Sequence, residues 1–105
     1  MQRSLQAADL FTKIVSDPVV SSGSSTSLAW GDFNNDGFPD LYVNTLSPGQ
    51  SLFYSNNGNG TFTRILNQAI GTDAATSFGA AWADYDNDGL LDLFVAVNGT
   101  GNDWL

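Results

Sequence analysis

The 105-residue chain repeats itself, and that repeat limits its possible folds more than any other feature. Phe11-Thr12-Lys13-Ile14-Val15 recurs as Phe62-Thr63-Arg64-Ile65-Leu66, and Ala29-Trp30-Gly31-Asp32-Phe33 recurs as Ala81-Trp82-Ala83-Asp84-Tyr85. Asp36-Gly37 returns as Asp88-Gly89, and Asp40-Leu41-Tyr42-Val43 as Asp92-Leu93-Phe94-Val95. The offset is 51 residues at Phe11/Phe62 and 52 at Asp32/Asp84, so one residue is gained in the connection between them.

Within each period the chain reads as short strands separated by turns. Phe62 to Leu66 is rich in β-formers and follows the turn Asn57-Gly58-Asn59-Gly60. Ala80 to Asp84 and Leu93 to Val97 supply two more strands, and Ser51 to Tyr54, after the turn around Ser47-Pro48-Gly49, the remaining one. Four strands in about 50 residues, repeated, predict an all-β, propeller-type protein with about two four-stranded blades per chain. The organisation expected is an N-terminal extension over 1–10, a first repeat over 11–61 and a second over 62–105. The chain opens near Phe11 in a closing strand, and Trp104-Leu105 align with Ser51-Leu52, so the second repeat is cut within its third strand.

Charge separates the function classes. Eleven acidic residues stand against Arg3, Lys13 and Arg64, a formal net charge of −8. Three scattered cations cannot form the basic patch that nucleic acid requires. Every acidic residue is Asp, which favours turns and metal loops over helices. Cys and His are absent, which removes disulfides, thiolate and imidazole metal sites, and Ser-His or Cys-His catalytic pairs. The longest apolar runs, such as Leu93 to Val97, fall far short of a membrane span, and the first residues carry no signal-peptide core.

Seven of the eleven aspartates lie in two loops, 32–40 and 84–92. These read Asp32-Phe33-Asn34-Asn35-Asp36-Gly37-Phe38-Pro39-Asp40 and Asp84-Tyr85-Asp86-Asn87-Asp88-Gly89-Leu90-Leu91-Asp92, both fitting D-x-[DN]-x-D-G-x-x-D. Oxygen ligands at positions 1, 3 and 5 can converge on one ion, and Gly at position 6 permits the sharp turn. The carbonyl of Phe38 or Leu90 at position 7 and the Asp at position 9 would complete an oxygen shell. Hard oxygen ligands without nitrogen or sulfur point to Ca²⁺ over transition metals, and Mg²⁺ is disfavoured by its strict octahedral geometry. An EF-hand is excluded, because its bidentate Glu at position 12 is replaced by Val43 and Val95. A turn-only reading leaves the clustered carboxylates to repel one another.

On residues 29–41 and 81–93 the chain resembles the FG-GAP/VCBS repeats, the calcium-loop propeller blades of integrin α-subunit heads and many secreted bacterial proteins. Asn56-Asn57-Gly58-Asn59-Gly60-Thr61-Phe62-Thr63 adds the usual turn and closing strand, and Phe78-Gly79-Ala80-Ala81 is similar to the FG-GAP motif itself. The first copy has Ser27-Leu28-Ala29 there and lacks the Phe-Gly. The resemblance implies one ion held by Asp32, Asn34, Asp36 and Asp40, and another by Asp84, Asp86, Asp88 and Asp92. It implies a structural role for the metal, an extracellular parent protein, and partners that bind the surrounding loops.

The function expected is a calcium-binding scaffold for adhesion or for a protein or glycan ligand, without catalysis. A lectin-like module and a fragment of a polysaccharide-active enzyme are the alternatives. Trp30 and Trp82 are expected to pack within or between blades. Lys13 and Arg64, at equivalent outward positions, suit solubility better than catalysis. Two blades cannot close a ring, so self-association is expected, as a dimer, trimer or tetramer with the trimer favoured. A neighbouring copy's Phe11 to Val15 strand would complete the unfinished blade.

Overall fold

Short strands rich in apolar residues build two packed sheets. The computed structural model describes residues 11–20, 24–46, 51–66 and 76–98. Strands β1 (Ser25–Gly31), β2 (Asp40–Thr45), β3 (Leu52–Asn56) and β4 (Phe62–Ile65) form an antiparallel meander in that order. Strands β5 (Thr76–Ala83) and β6 (Asp92–Asn98) form a second, two-stranded antiparallel sheet. A short 3-10 turn at Pro18–Val20 is the only helical element among the described residues. The protein is an all-β, propeller-type repeat.

The pairing register fixes which residues share a face. Val43 lies opposite Leu28 and Leu52, and Leu41 opposite Trp30 and Tyr54, so these side chains line one face of the first sheet. There Leu41, Val43, Leu52 and Tyr54 form a buried cluster with Val19 and Phe62 packed against it. Burial pushes the Tyr54 phenol up, with Arg64 opposing and Asp17 adding to the rise. Its hydroxyl donates to the Pro18 carbonyl (3.3 Å), and Asp17 accepts from the Phe62 amide (3.1 Å), so the 3-10 turn is fastened to the sheet.

The opposite face carries Tyr42 and Phe53, and the second sheet packs on it. Val95 is buried against this pair, flanked by Ala80, Trp82, Leu93 and Val97. Because both faces of β2 are covered, all of its residues are buried. Strands covered on both sides escape the apolar/polar alternation of a half-exposed sheet. Burying a side chain the size of Phe53 stabilises by about 1.5–3 kcal/mol.

Trp82 is the cross-piece between the sheets. Its ring lies 5.8 Å from that of Phe53, and its indole N–H donates to the Ala29 carbonyl of β1 (3.3 Å). Gly31 allows this approach, since a Cβ there would stand 2.6 Å from the Trp82 Cγ. Gly31→Ala is therefore expected to destabilise by about 1–3 kcal/mol, the usual cost of overpacking. A chemical denaturation midpoint unchanged from wild type would contradict this contact.

Phe11–Val15 matches the closing strand Phe62–Leu66 in sequence but forms no strand, and all five residues are exposed. Phe62–Ile65 is held because β3 lies beside it, pairing Phe53 with Ile65 and Asn56 with Phe62. No strand among the described residues offers Phe11–Val15 the same partner. The first sheet runs from Ser25 to Ile65, so the strand that opens the 62–105 period closes the sheet begun in 11–61. Residues 1–10 and Trp104-Leu105, where an extension and a third strand are predicted, lie outside the described residues.

Candidate metal centre

Both aspartate loops connect the strands of a hairpin, 32–39 between β1 and β2 and 84–91 between β5 and β6. Their internal geometry is the same. Residue 4 of each loop, Asn35 or Asn87, sits at positive φ (57° and 63°), a region that Asn tolerates better than most residues. Residue 6, Gly37 or Gly89, follows at φ 89° and 90°. These left-handed turns wrap the backbone around the carboxylate at position 1.

In the first loop, Asp32 accepts from the amides of Asp36 (3.1 Å) and Gly37 (2.8 Å). In the second, Asp84 accepts from Asp88 (3.0 Å) and Gly89 (2.8 Å). Position 3 accepts from the amide of position 5, at 3.2 Å for both Asn34 and Asp86. Position 5 accepts from the amide of position 7, Phe38 (2.9 Å) or Leu90 (2.8 Å). A carboxylate offers about four lone-pair sites, so each position-1 aspartate keeps acceptor capacity beyond these bonds.

The loops differ at position 3. One carboxylate oxygen from each of Asp84, Asp86 and Asp88 lies within 4.8 Å of the others, the one such group of three among the described residues. In the first loop the Asn34 side-chain amide donates to the Asp36 carboxylate (3.0 Å) while its oxygen accepts from the Asp36 backbone. Asn34 thus supplies internally part of the positive partner that three converging carboxylates lack. The second loop is the more demanding of a cation.

Position 9 has a further structural task. Asp40 is fully buried (0% exposed), with one oxygen accepting from the Phe33 amide (3.1 Å) and the other from the Asn56 amide (2.8 Å). The Asn56 side chain in turn donates to the Pro39 carbonyl (3.0 Å), tying the loop to the β3–β4 turn. Asp92 repeats the first of these bonds, to the Tyr85 amide (3.0 Å), and is less buried. The sequence reading gave Asp40 only as a ligand and missed Asn56 as a brace. The Asn that precedes Asp-Gly in both loops was a readable sign of the left-handed residue.

The two loops also touch, with the Asn35 side chain donating to the Gly89 carbonyl at 3.4 Å. All ten residues read as ligands, Asp32, Asn34, Asp36, Phe38, Asp40, Asp84, Asp86, Asp88, Leu90 and Asp92, therefore fall in two adjacent hairpin loops and at the first residues of the strands that follow them, β2 and β6. The donor set is all oxygen and rich in carboxylate, which fits a hard divalent cation and offers nothing to a soft one.

These features define a class: an all-β repeat protein whose hairpins carry paired aspartate loops. The model of the FG-GAP-like repeat matches residues 32–95, more than half of the chain, and the chain belongs to that family. No curated protein and no solved structure matches it.

Proposed function

We propose that the chain is a calcium-binding, propeller-type repeat module that serves as a structural or adhesion scaffold and carries out no catalysis. The observation that carries this reading is the convergence of Asp84, Asp86 and Asp88 within a loop already wound by its own backbone amides. Calcium supplies positive charge that offsets the mutual repulsion of these carboxylates. Asp32, Asn34, Asp36 and Asp40, with the Phe38 carbonyl, would hold one ion, and Asp84, Asp86, Asp88 and Asp92, with the Leu90 carbonyl, the other. The chain's own part is to hold the hairpins side by side, so that protein or glycan partners meet an ordered surface. Oxygen sites on extracellular modules bind at about 10⁻⁴–10⁻³ M, and this reading places the parent protein outside the cell.

Thermal unfolding tests it. A ligand that binds only the folded state stabilises in proportion to the logarithm of its concentration above Kd, about 2.7 kcal/mol per site at a hundredfold excess. The midpoint is expected to rise by several degrees between excess chelator and millimolar calcium. An unchanged midpoint would overturn the proposal.

A further inference from the structure

The turn that joins β3 to β4 holds two asparagines in the same local sequence, Asn57-Gly58 and Asn59-Gly60. An asparagine followed by glycine can react with its own backbone, because the next amide nitrogen lies near the side-chain carbonyl carbon and glycine has no Cβ to obstruct it. All four residues are exposed to solvent. Sequence therefore gives the two positions equal standing, and only the fold separates them.

The Asn57 side chain is held at both ends, its NH2 donating to the Thr61 hydroxyl (2.9 Å) and its oxygen accepting from that of Thr63 (2.9 Å). The nitrogen that would attack it, the Gly58 amide, is committed to the Asn56 side-chain oxygen (2.9 Å). Gly58 is also covered, since a Cβ there would stand 2.6 Å from the Phe38 ring. At Asn59 each of these is reversed. The Gly60 amide donates to no described residue, and a Cβ at Gly60 would meet nothing within 4 Å. The Asn59 oxygen accepts twice from Thr61, from its backbone N–H (3.1 Å) and from its hydroxyl (2.6 Å). A backbone N–H can only donate, so the atom facing it is the oxygen, and the NH2 is the group left to depart. The Thr61 hydroxyl accepts from Asn57 in turn, which strengthens it as a donor.

We propose that Asn59 is a self-modifying residue, converted through a cyclic imide to aspartate and isoaspartate, with Thr61 stabilising the charge that develops. Solvent takes the Gly60 amide proton, the nitrogen bonds to the Asn59 Cγ, and the carbonyl electrons move onto Oδ1. Both Thr61 donors already face that oxygen, the arrangement that stabilises an oxyanion. Collapse breaks the Cγ–Nδ2 bond, and the departing nitrogen takes a proton from solvent and leaves as ammonia. Water then adds to either carbonyl of the imide, giving the aspartyl or the isoaspartyl link. No oxidant, reductant or metal enters, so the inference is independent of the calcium reading. The product adds negative charge to a chain of net charge −8. It does so in a turn that touches the first aspartate loop, through Phe38 on Gly58 and Asn56 on Pro39.

Tandem mass spectrometry of the full chain, aged at mildly alkaline pH in heavy-oxygen water, locates the change by the label in the new carboxylate. Folded, the chain should convert Asn59 faster than Asn57 by roughly tenfold or more, and Thr61→Val should slow Asn59 by a similar factor, since losing one oxyanion donor costs at least that much. Thr61→Ser should restore the rate. Unfolded in guanidinium, the two asparagines should convert at similar rates. Circular dichroism confirms that the variants keep their sheet, and the folded-against-unfolded comparison of wild type decides alone if Thr61→Val does not fold. A folded chain in which Asn57 keeps pace with Asn59 would overturn the inference. So would an equal preference for Asn59 in guanidinium, or a folded Thr61→Val that converts Asn59 at the wild-type rate.

Discussion

Trp82→Ala is expected to lose about 3 kcal/mol or more of folding stability, and Trp30→Ala about 1 kcal/mol, although the two residues hold the same place in the repeat. Truncating a packed Trp typically costs about 3–5 kcal/mol, through lost burial and the cavity left behind. Trp82 packs in the cluster that joins the sheets, with Phe53 at 5.8 Å, and its N–H satisfies the Ala29 carbonyl. Trp30, on strand β1, is half exposed, and its ring contact with Phe62 is worth about 0.5–1.5 kcal/mol. Urea unfolding of each variant measures both. Equal losses would mean that the second sheet does not rest on Trp82.

Asp88→Ala is expected to weaken calcium binding at its loop by tenfold or more, and to do more harm than Asp36→Ala. Residues that only orient a ligand already change metal affinity by about 10–100-fold, and Asp88 is read as a ligand itself. The asymmetry comes from position 3. Asp86 adds charge to the second loop, so Asp88 completes a triad of carboxylates. In the first loop the Asn34 amide donates to Asp36, so part of the cohesion there needs no ion. Titration of each variant with calcium separates the two loops. A larger loss for Asp36→Ala would contradict the ranking.

The hairpins and their loops were legible in the sequence because the repeat states them twice. Strand cores such as Leu93 to Val97 and Phe62 to Ile65 lie where β-formers and the Asn-Gly turns place them. The loops were legible because seven aspartates at fixed spacing have few other uses. What the sequence hid was pairing. Phe11–Val15 has the composition of β4 but no strand beside it among the described residues, and a strand exists only through its partner. Asp40 looks in sequence like any other loop aspartate, yet its burial and its bond to Asn56 depend on β3 running alongside. The unlike fates of Trp30 and Trp82 are set by which sheet covers which, and no window of sequence around either residue contains that.

Isothermal titration calorimetry of the chelator-stripped chain with calcium measures whether each aspartate loop binds an ion, as proposed. Saturable binding of two ions per chain is expected, reduced to one when Asp84 and Asp88 are both replaced by Asn. A titration without saturable heat, confirmed by equilibrium dialysis with labelled calcium showing no retained ion, would contradict it.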